Sequence, residues 1–435
     1  MPWFTHSAPE ITRGQVIDLM GRALDEAKQR ICKEPKRVLL LPPDITRMHS
    51  GAGWITEAFY NLLAPSADVH VIPTLGQHEP HTREQNAQMF GKIPHERIHP
   101  HDWRGGCVQI GEVPADYVKE KTGGAADWAF PLWLNSMLMK EKWDLIINIG
   151  HVVPHEVLGF ANHNKNYFIG LAGKDLICTS HMAAACCGIE NNLGNLLTPV
   201  RQCFNYAEDK YLGSLPDFYV QVTLARNSSG QLVHTGVFVG DDLETYLGAA
   251  RQAREQNITA LDEPLQKVVC VMQGDEFFST WVANKAVYRT RMALADGGEL
   301  LIIAPGLKRF GEQPDVDALI RKYGYCGTPK VMELYKKNAD MQDLAHASAH
   351  LIHGSSEGRF KITYAPGHLE KADIEQVKFG YANLEETLLK YPIGQLQEGF
   401  NEVNGERIYF IPTPSAGLWA TKERLFNRKT GFGAG

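Results

Sequence analysis

Three short aliphatic runs, each broken off by proline or glycine and followed by polar residues, constrain this chain most. They are "RVLLLPPD" (37–44), "ADVHVIPTLGQH" (67–78) and "WDLIINIGHVVPH" (143–155). Runs this short with such flanks read as buried strands. Helical spacing precedes the first, in "ITRGQVIDLMGRALDEAKQRI" (11–31), and separates the runs, for example in "GWITEAFYNLLAP" (53–65). Strand–helix alternation of this kind predicts an α/β fold with largely parallel sheets.

At 435 residues the chain exceeds what one core spans, so two domains are expected. The composition changes near 255–266, and a second series follows: "KVVCVMQGDEF" (267–277), "GELLIIAPG" (298–306), "RFKITYAPGHL" (359–369) and "ERIYFIPTP" (406–414). Residues 335–357 read as helical. The expected domains are 1–262 and 266–435, both α/β, with the active site in the cleft between them.

Composition removes several classes. The net charge of −6 makes no broad case for nucleic acid. No apolar run approaches the roughly 20 residues that span a bilayer. The opening "MPWFTHSAPEITRGQ" lacks the pattern of a signal peptide, so a cytoplasmic location is expected. The eight cysteines show no CxxC spacing and read as reduced thiols.

The polar residues fall where α/β sheets bind ligands, beyond the carboxyl ends of strands. Asp44, Thr46 and Arg47 follow the first run. An Arg there suits a carboxylate or phosphate, and the same residues also suit a plain helix N-cap beside a solvated Arg. His78 follows the second run, as an acid/base or as a loop histidine bonded to backbone. His151 and His155 follow the third, and the stretch 151–182 continues with His163, Lys165 and His181. Zinc on His151, His155 and His181 is one reading, although Pro154 argues against a two-histidine helical face. A lysine among histidines also suits covalent attachment of a group.

The order DxTR (44–47), GxH (76–78), PHxxxGF (154–160), then Lys165 and His181 resembles the lactate racemase family of nickel-dependent 2-hydroxyacid racemases and epimerases. The resemblance implies a nickel-pincer nucleotide, a pyridinium-derived mononucleotide joined to lysine through a thioamide. Lys165 takes the covalent position, His181 the nickel-ligand position, and His78 and His155 the two catalytic positions. Asp44 and Thr46 are then expected to hold the nucleotide and Arg47 the substrate carboxylate. The N-terminal domain would carry the cofactor and the C-terminal domain would close over the substrate. In the latter, Lys285 within "GDEFFSTWVANKAVYRTRMAL" (274–294) is expected to meet a substrate oxygen, with Trp281 and Tyr288 as candidate lining residues.

Two departures bear on the substrate. Val282 stands where a typical lactate racemase has glutamine. Ala161, Asn162 and His163 replace the Ser-Gly-Gly that follows Gly-Phe. Asn162, His163 and Asn164 suit hydrogen bonds to several hydroxyls, which predicts a sugar acid such as gluconate or mannonate, epimerised at C2. A short hydroxyacid of the lactate type is the alternative within the family, and a zinc-dependent hydrolase the alternative outside it. The expected partners are a small hydroxyacid substrate, the enzymes that build the cofactor, and a further copy of the chain in a homo-oligomer.

Overall fold

The computed structural model describes residues 2–274 and 276–426. The chain divides into two compact units. Of the described residues, the first holds 2–180 and 193–257, the second 181–192, 258–274 and 276–426. The exchanged piece, 181–192, has no mark in the sequence pattern.

The first unit is built on a six-stranded sheet in the order Phe4–Ile11, Leu232–Gly240, Asp217–Arg226, Leu145–His151, Arg37–Leu41, Asp68–Val71. The last four run parallel, and Leu232–Gly240 is antiparallel to both of its neighbours. The predicted runs supply three of the parallel strands. Helix Arg13–Ile31 starts as its pattern predicts, with Thr12 and Gln15 forming a reciprocal capping box. Helix Ala52–Leu63 lies between strands Arg37–Leu41 and Asp68–Val71 in the chain.

The two faces of this sheet differ in chemistry because side chains alternate along a strand. Ile147, Ile149, Val220 and Val222 join the main apolar core with Val16, Met20, Ile55 and Phe59 from the two helices. On the other face lie Asn148, Gly150, Tyr219 and Gln221, all buried or bare. Gly150 is needed there. A Cβ on it would stand 2.5 Å from Oδ1 of Asn162, so the 159–166 segment packs directly on the strand backbone.

The second unit has its own six-stranded sheet, ordered Gly380–Tyr381, Lys361–Pro366, Leu294–Ala304, Leu265–Val271, Glu406–Ile411, Gly399–Val403. Every pairing is parallel except the last. The predicted strands at 267, 298, 359 and 406 are all present. The helical region resolves into Thr328–Lys337, Ala339–Asp343 and Ala345–His353. The α/β class with largely parallel sheets therefore holds in both units. Among the described residues no helix is long and apolar enough to cross a membrane.

Candidate active site

The strand ends of the first unit bring their polar residues together. After Leu41, two prolines lead into Asp44, whose carboxylate caps the short helical turn Ile45–Ser50. Asp44 Oδ1 accepts from the amide of Thr46 at 2.9 Å and from its hydroxyl at 2.5 Å. Asp44 is thus the N-cap that a bland reading offered. Its second oxygen does something else, and meets His78 Nδ1 at 2.5 Å. Burial would raise the Asp44 carboxyl, but the charge and hydrogen bond of His78, with Thr46, hold it far below the usual carboxylate range. Asp44 is therefore ionised, and His78 Nδ1 carries the proton it donates. The Nε2 of a neutral His78 is left with its lone pair.

His78 sits in a turn tied to the lysine segment. The amide of Gly76 donates to the carbonyl of Gly170 at 2.8 Å, and a Cβ on Gly170 would lie 2.5 Å from Cβ of Thr74. Residues Asn166–Gly170 form a π-helical turn, with Lys165 at its start. Such turns insert an extra residue into the helical ladder and occur often at functional sites.

Lys165 is half-buried, and its amine feels the residues gathered by the strand ends. Burial first, then the positive charge of Arg47, bring its pKa down to about 8, against the opposing pull of Asp44 and Glu156. A lysine near 8 has a substantial neutral, nucleophilic fraction at neutral pH, unlike an exposed one.

His155 lies on a two-strand hairpin, Pro154–His155 against Gly159–Phe160. Gly159 turns with φ 75°, and a Cβ there would meet the carbonyl oxygen of Asn195 at 1.8 Å. The ring of His155 closes this turn, because Nδ1 accepts from the amides of Val157 at 3.2 Å and Leu158 at 3.4 Å. Nδ1 is therefore unprotonated, and a neutral His155 carries its proton on Nε2. The two imidazoles are held in opposite tautomers. His151 ends its strand with its ring 6.1 Å from that of His49.

Asn162 and His163 have left-handed backbones, φ 66° and 58°, and lie inside the protein with 3% and 2% exposure. Asn162 Oδ1 accepts from Asn166 Nδ2 at 2.7 Å. His163 stacks on Tyr219 at 4.1 Å between centroids, and burial with the nearby Arg201 drives its pKa down to about 3. Their role here is internal: both belong to the support beneath Lys165.

That support centres on residues without any linear signal. Arg201, fully buried, donates to the carbonyls of Phe160 at 2.7 Å and Asn162 at 3.3 Å and to the side chain of Asn164, with its guanidinium over Tyr246. Glu208 accepts from Asn164 Nδ2 at 2.8 Å and from the Tyr219 hydroxyl. Tyr167 donates to Asp217 at 2.6 Å. Burial pushes the carboxyls of both Glu208 and Asp217 up to about 7. Only the N-cap and proline that start the helix at Thr198–Pro199 foreshadow Arg201, by fixing it one turn in.

In the second unit, Lys285 opens helix Lys285–Thr290 with its ammonium 5.7 Å from the ring of Phe277. Trp281 stacks on His350 at 4.4 Å, and the Tyr288 hydroxyl meets the same imidazole at 2.7 Å. His181 lies in helix Lys174–Cys187, at the first residue of the piece that belongs to the second unit. Among the described residues no three His, Cys, Asp or Glu side chains gather as a metal-holding group, so the zinc set of His151, His155 and His181 gains no support.

Residues 16–192 match the family described as the lactate racemase N-terminal domain. A crystal structure of a Thermotoga maritima protein is similar at TM-score 0.81 and 22% identity, over 96% of this chain and 100% of that one. The lactate racemase apoprotein from Thermoanaerobacterium thermosaccharolyticum is similar at TM-score 0.65 and 17% identity, over 96% and 94%. No curated protein sequence matches the chain. At these identities the structural likenesses establish the fold, and the kinship shown is a lactate racemase N-terminal domain over residues 16–192.

Proposed function

We propose that this protein is an isomerase that inverts C2 of a 2-hydroxyacid, with a nickel-pincer nucleotide attached to Lys165. The observation that carries this reading is the Lys165 amine, brought to about 8 beside Asp44 and Arg47. A cofactor joined through an amide-like bond needs a nucleophilic amine, and this lysine fits that demand. His181 is the nickel ligand in this reading, and Asp44 and Thr46 flank the nucleotide. When bound, such a group supplies the electron-deficient ring carbon that a hydride leaving C2 requires.

The chain's own residues do the remaining work. Arg47 offers a planar fork to the substrate carboxylate. His78 takes the hydroxyl proton at Nε2, and ionised Asp44 stabilises the imidazolium that results, the logic of any carboxylate–imidazole pair. His155 presents an N–H at Nε2 and so donates a hydrogen bond to a substrate oxygen. To serve as the second base it must release the amides of Val157 and Leu158. Lys285 is the substrate-binding residue proposed in the second unit.

Among 2-hydroxyacids we propose a sugar acid, gluconate or mannonate, on the two departures at 161–163 and at Val282. One observation favours the shorter lactate-type substrate: Asn162, His163 and Asn164 are committed to the interior. The test is inversion at C2, followed by chiral separation of the two epimers, using chain co-produced with the cofactor-building enzymes. Inversion of aldonates with none of lactate or malate supports the sugar-acid reading. Inversion of lactate or malate alone selects the shorter substrate, and no inversion of any hydroxyacid overturns the proposed activity.

A further inference from the structure

His81 was not among the expected site residues, yet every hydrogen of its surroundings can be assigned. The amide of Ile45 donates to His81 Nε2 at 2.8 Å. An amide N–H can only donate, so Nε2 is bare and the ring proton of the neutral form is on Nδ1. Nδ1 then donates to Asn86 Oδ1 at 3.1 Å, and Asn86 Nδ2 meets His95 Nδ1 at 3.1 Å. Asn86 is buried and the ring lies 6.0 Å from that of Phe90, so helix Arg83–Phe90 fixes His81 from behind.

Ile45 is the residue between Asp44 and Thr46, the two that form the cap. A ring gripping the Ile45 amide fixes the peptide from which Asp44 projects. We propose that His81 is a positioning residue for the Asp44–His78 pair, setting through Ile45 the turn from which Asp44 reaches His78. This rests on the reading of His78 as the base, but its geometry can be tested without that chemistry.

The arrangement has a built-in sensitivity to acid. The charged groups facing His81 are Asp44 and His78, with His95 behind Asn86, while Glu57 of the adjoining helix is taken up by the amide of Lys92. Burial outweighs the attraction of Asp44 and holds His81 below the usual histidine value, so the ring is neutral at pH 7. Protonation in more acidic solution would place a proton on Nε2, against the Ile45 N–H, and a second positive charge beside His78.

Two variants separate the roles. His81→Gln puts an amide oxygen near the Nε2 position and cannot titrate, whereas His81→Leu removes the acceptor. Histidine nitrogen spectra of the full chain, with His81 assigned by its absence from His81→Gln, should show His81 protonated on Nδ1. His81→Leu should shift the His78 nitrogens and lower kcat about 10²-fold, as expected for a displaced catalytic group. His81→Gln should restore both and remove one acidic limb from the pH–rate profile. A proton on Nε2 of His81, or His78 signals unmoved by His81→Leu, overturns the proposal. If no hydroxyacid turns over, the spectra still decide it.

Discussion

Asp44 and His78, 34 residues apart, share a hydrogen bond of 2.5 Å, with the remaining carboxylate oxygen held by Thr46. The pair joins the ends of two parallel strands and fixes which nitrogen of His78 is left to act. Replacing Asp44 by Asn should keep the fold and lower turnover about 10²–10⁴-fold, since an amide tolerates the wrong tautomer. Steady-state rates together with intact mass check this, because the Lys165 adduct should persist in the variant.

The amine of Lys165 should behave as a nucleophile at lower pH than the other lysines. In unloaded chain, acylation at Lys165 should rise towards its plateau around pH 8, the value that burial and Arg47 impose. Arg47→Ala removes one of the lowering charges and should move that profile upward. Peptide-resolved mass spectrometry over a pH series gives both curves.

Glu208 and Asp217 make stability depend on pH in the opposite sense to most carboxylates. Burial raises both to about 7, so the folded chain keeps protons that the unfolded chain has lost. Their contribution is fully present below the unfolded value, near 4.5 for Glu208 and 3.8 for Asp217, and is lost as pH rises through about 7. Glu208→Gln should flatten this slope in thermal unfolding, removing at most roughly 3 kcal/mol of pH-dependent stability. An unchanged slope would mean that Glu208 is ionised in the fold.

Arg201 and Gly150 hold the lysine segment from opposite sides. Arg201→Met strands the carbonyls of Phe160 and Asn162 and the side chain of Asn164, at about 1–3 kcal/mol for each buried acceptor left unmade. Gly150→Ala forces Asn162 from its bond to Asn166, costing about 1–3 kcal/mol. Denaturant midpoints measure both losses. Cofactor loading should fall in each, because Lys165 follows directly after this segment.

Much of this was legible in the chain. The runs at 37, 67 and 143 became parallel strands because each is short, aliphatic and ended by Gly or Pro. Asp44 and His78 read as site candidates because they follow strand ends, and Lys165 because it is a lysine among histidines. Three other strands of the first sheet were not read: half of Phe4–Ile11 is polar, and Asp217–Arg226, paired with Leu232–Gly240, carries Tyr219, Gln221 and Thr223 at inward positions. A strand that buries polar side chains on one face has no clean apolar alternation. The same chemistry hid the support of Lys165. Arg201 and Glu208, on one helix, and Asn148 lie well away in sequence from the 162–166 segment and meet it only through the fold. The polar run 162–164 looked like a surface for hydroxyls, yet local spacing cannot tell a pocket wall from a buried network. His81 was passed over because nothing linear distinguishes a ring that grips a backbone amide from a loop histidine.

The central claim is that Lys165 carries the cofactor. Its most direct test is intact mass of the chain co-produced with the cofactor-building enzymes, followed by peptide mapping of residues 151–182. The account predicts a nucleotide-sized increment located on Lys165, with nickel in equal amount, both lost in Lys165→Ala. An unmodified Lys165 in protein that actively inverts C2 of a hydroxyacid would contradict it.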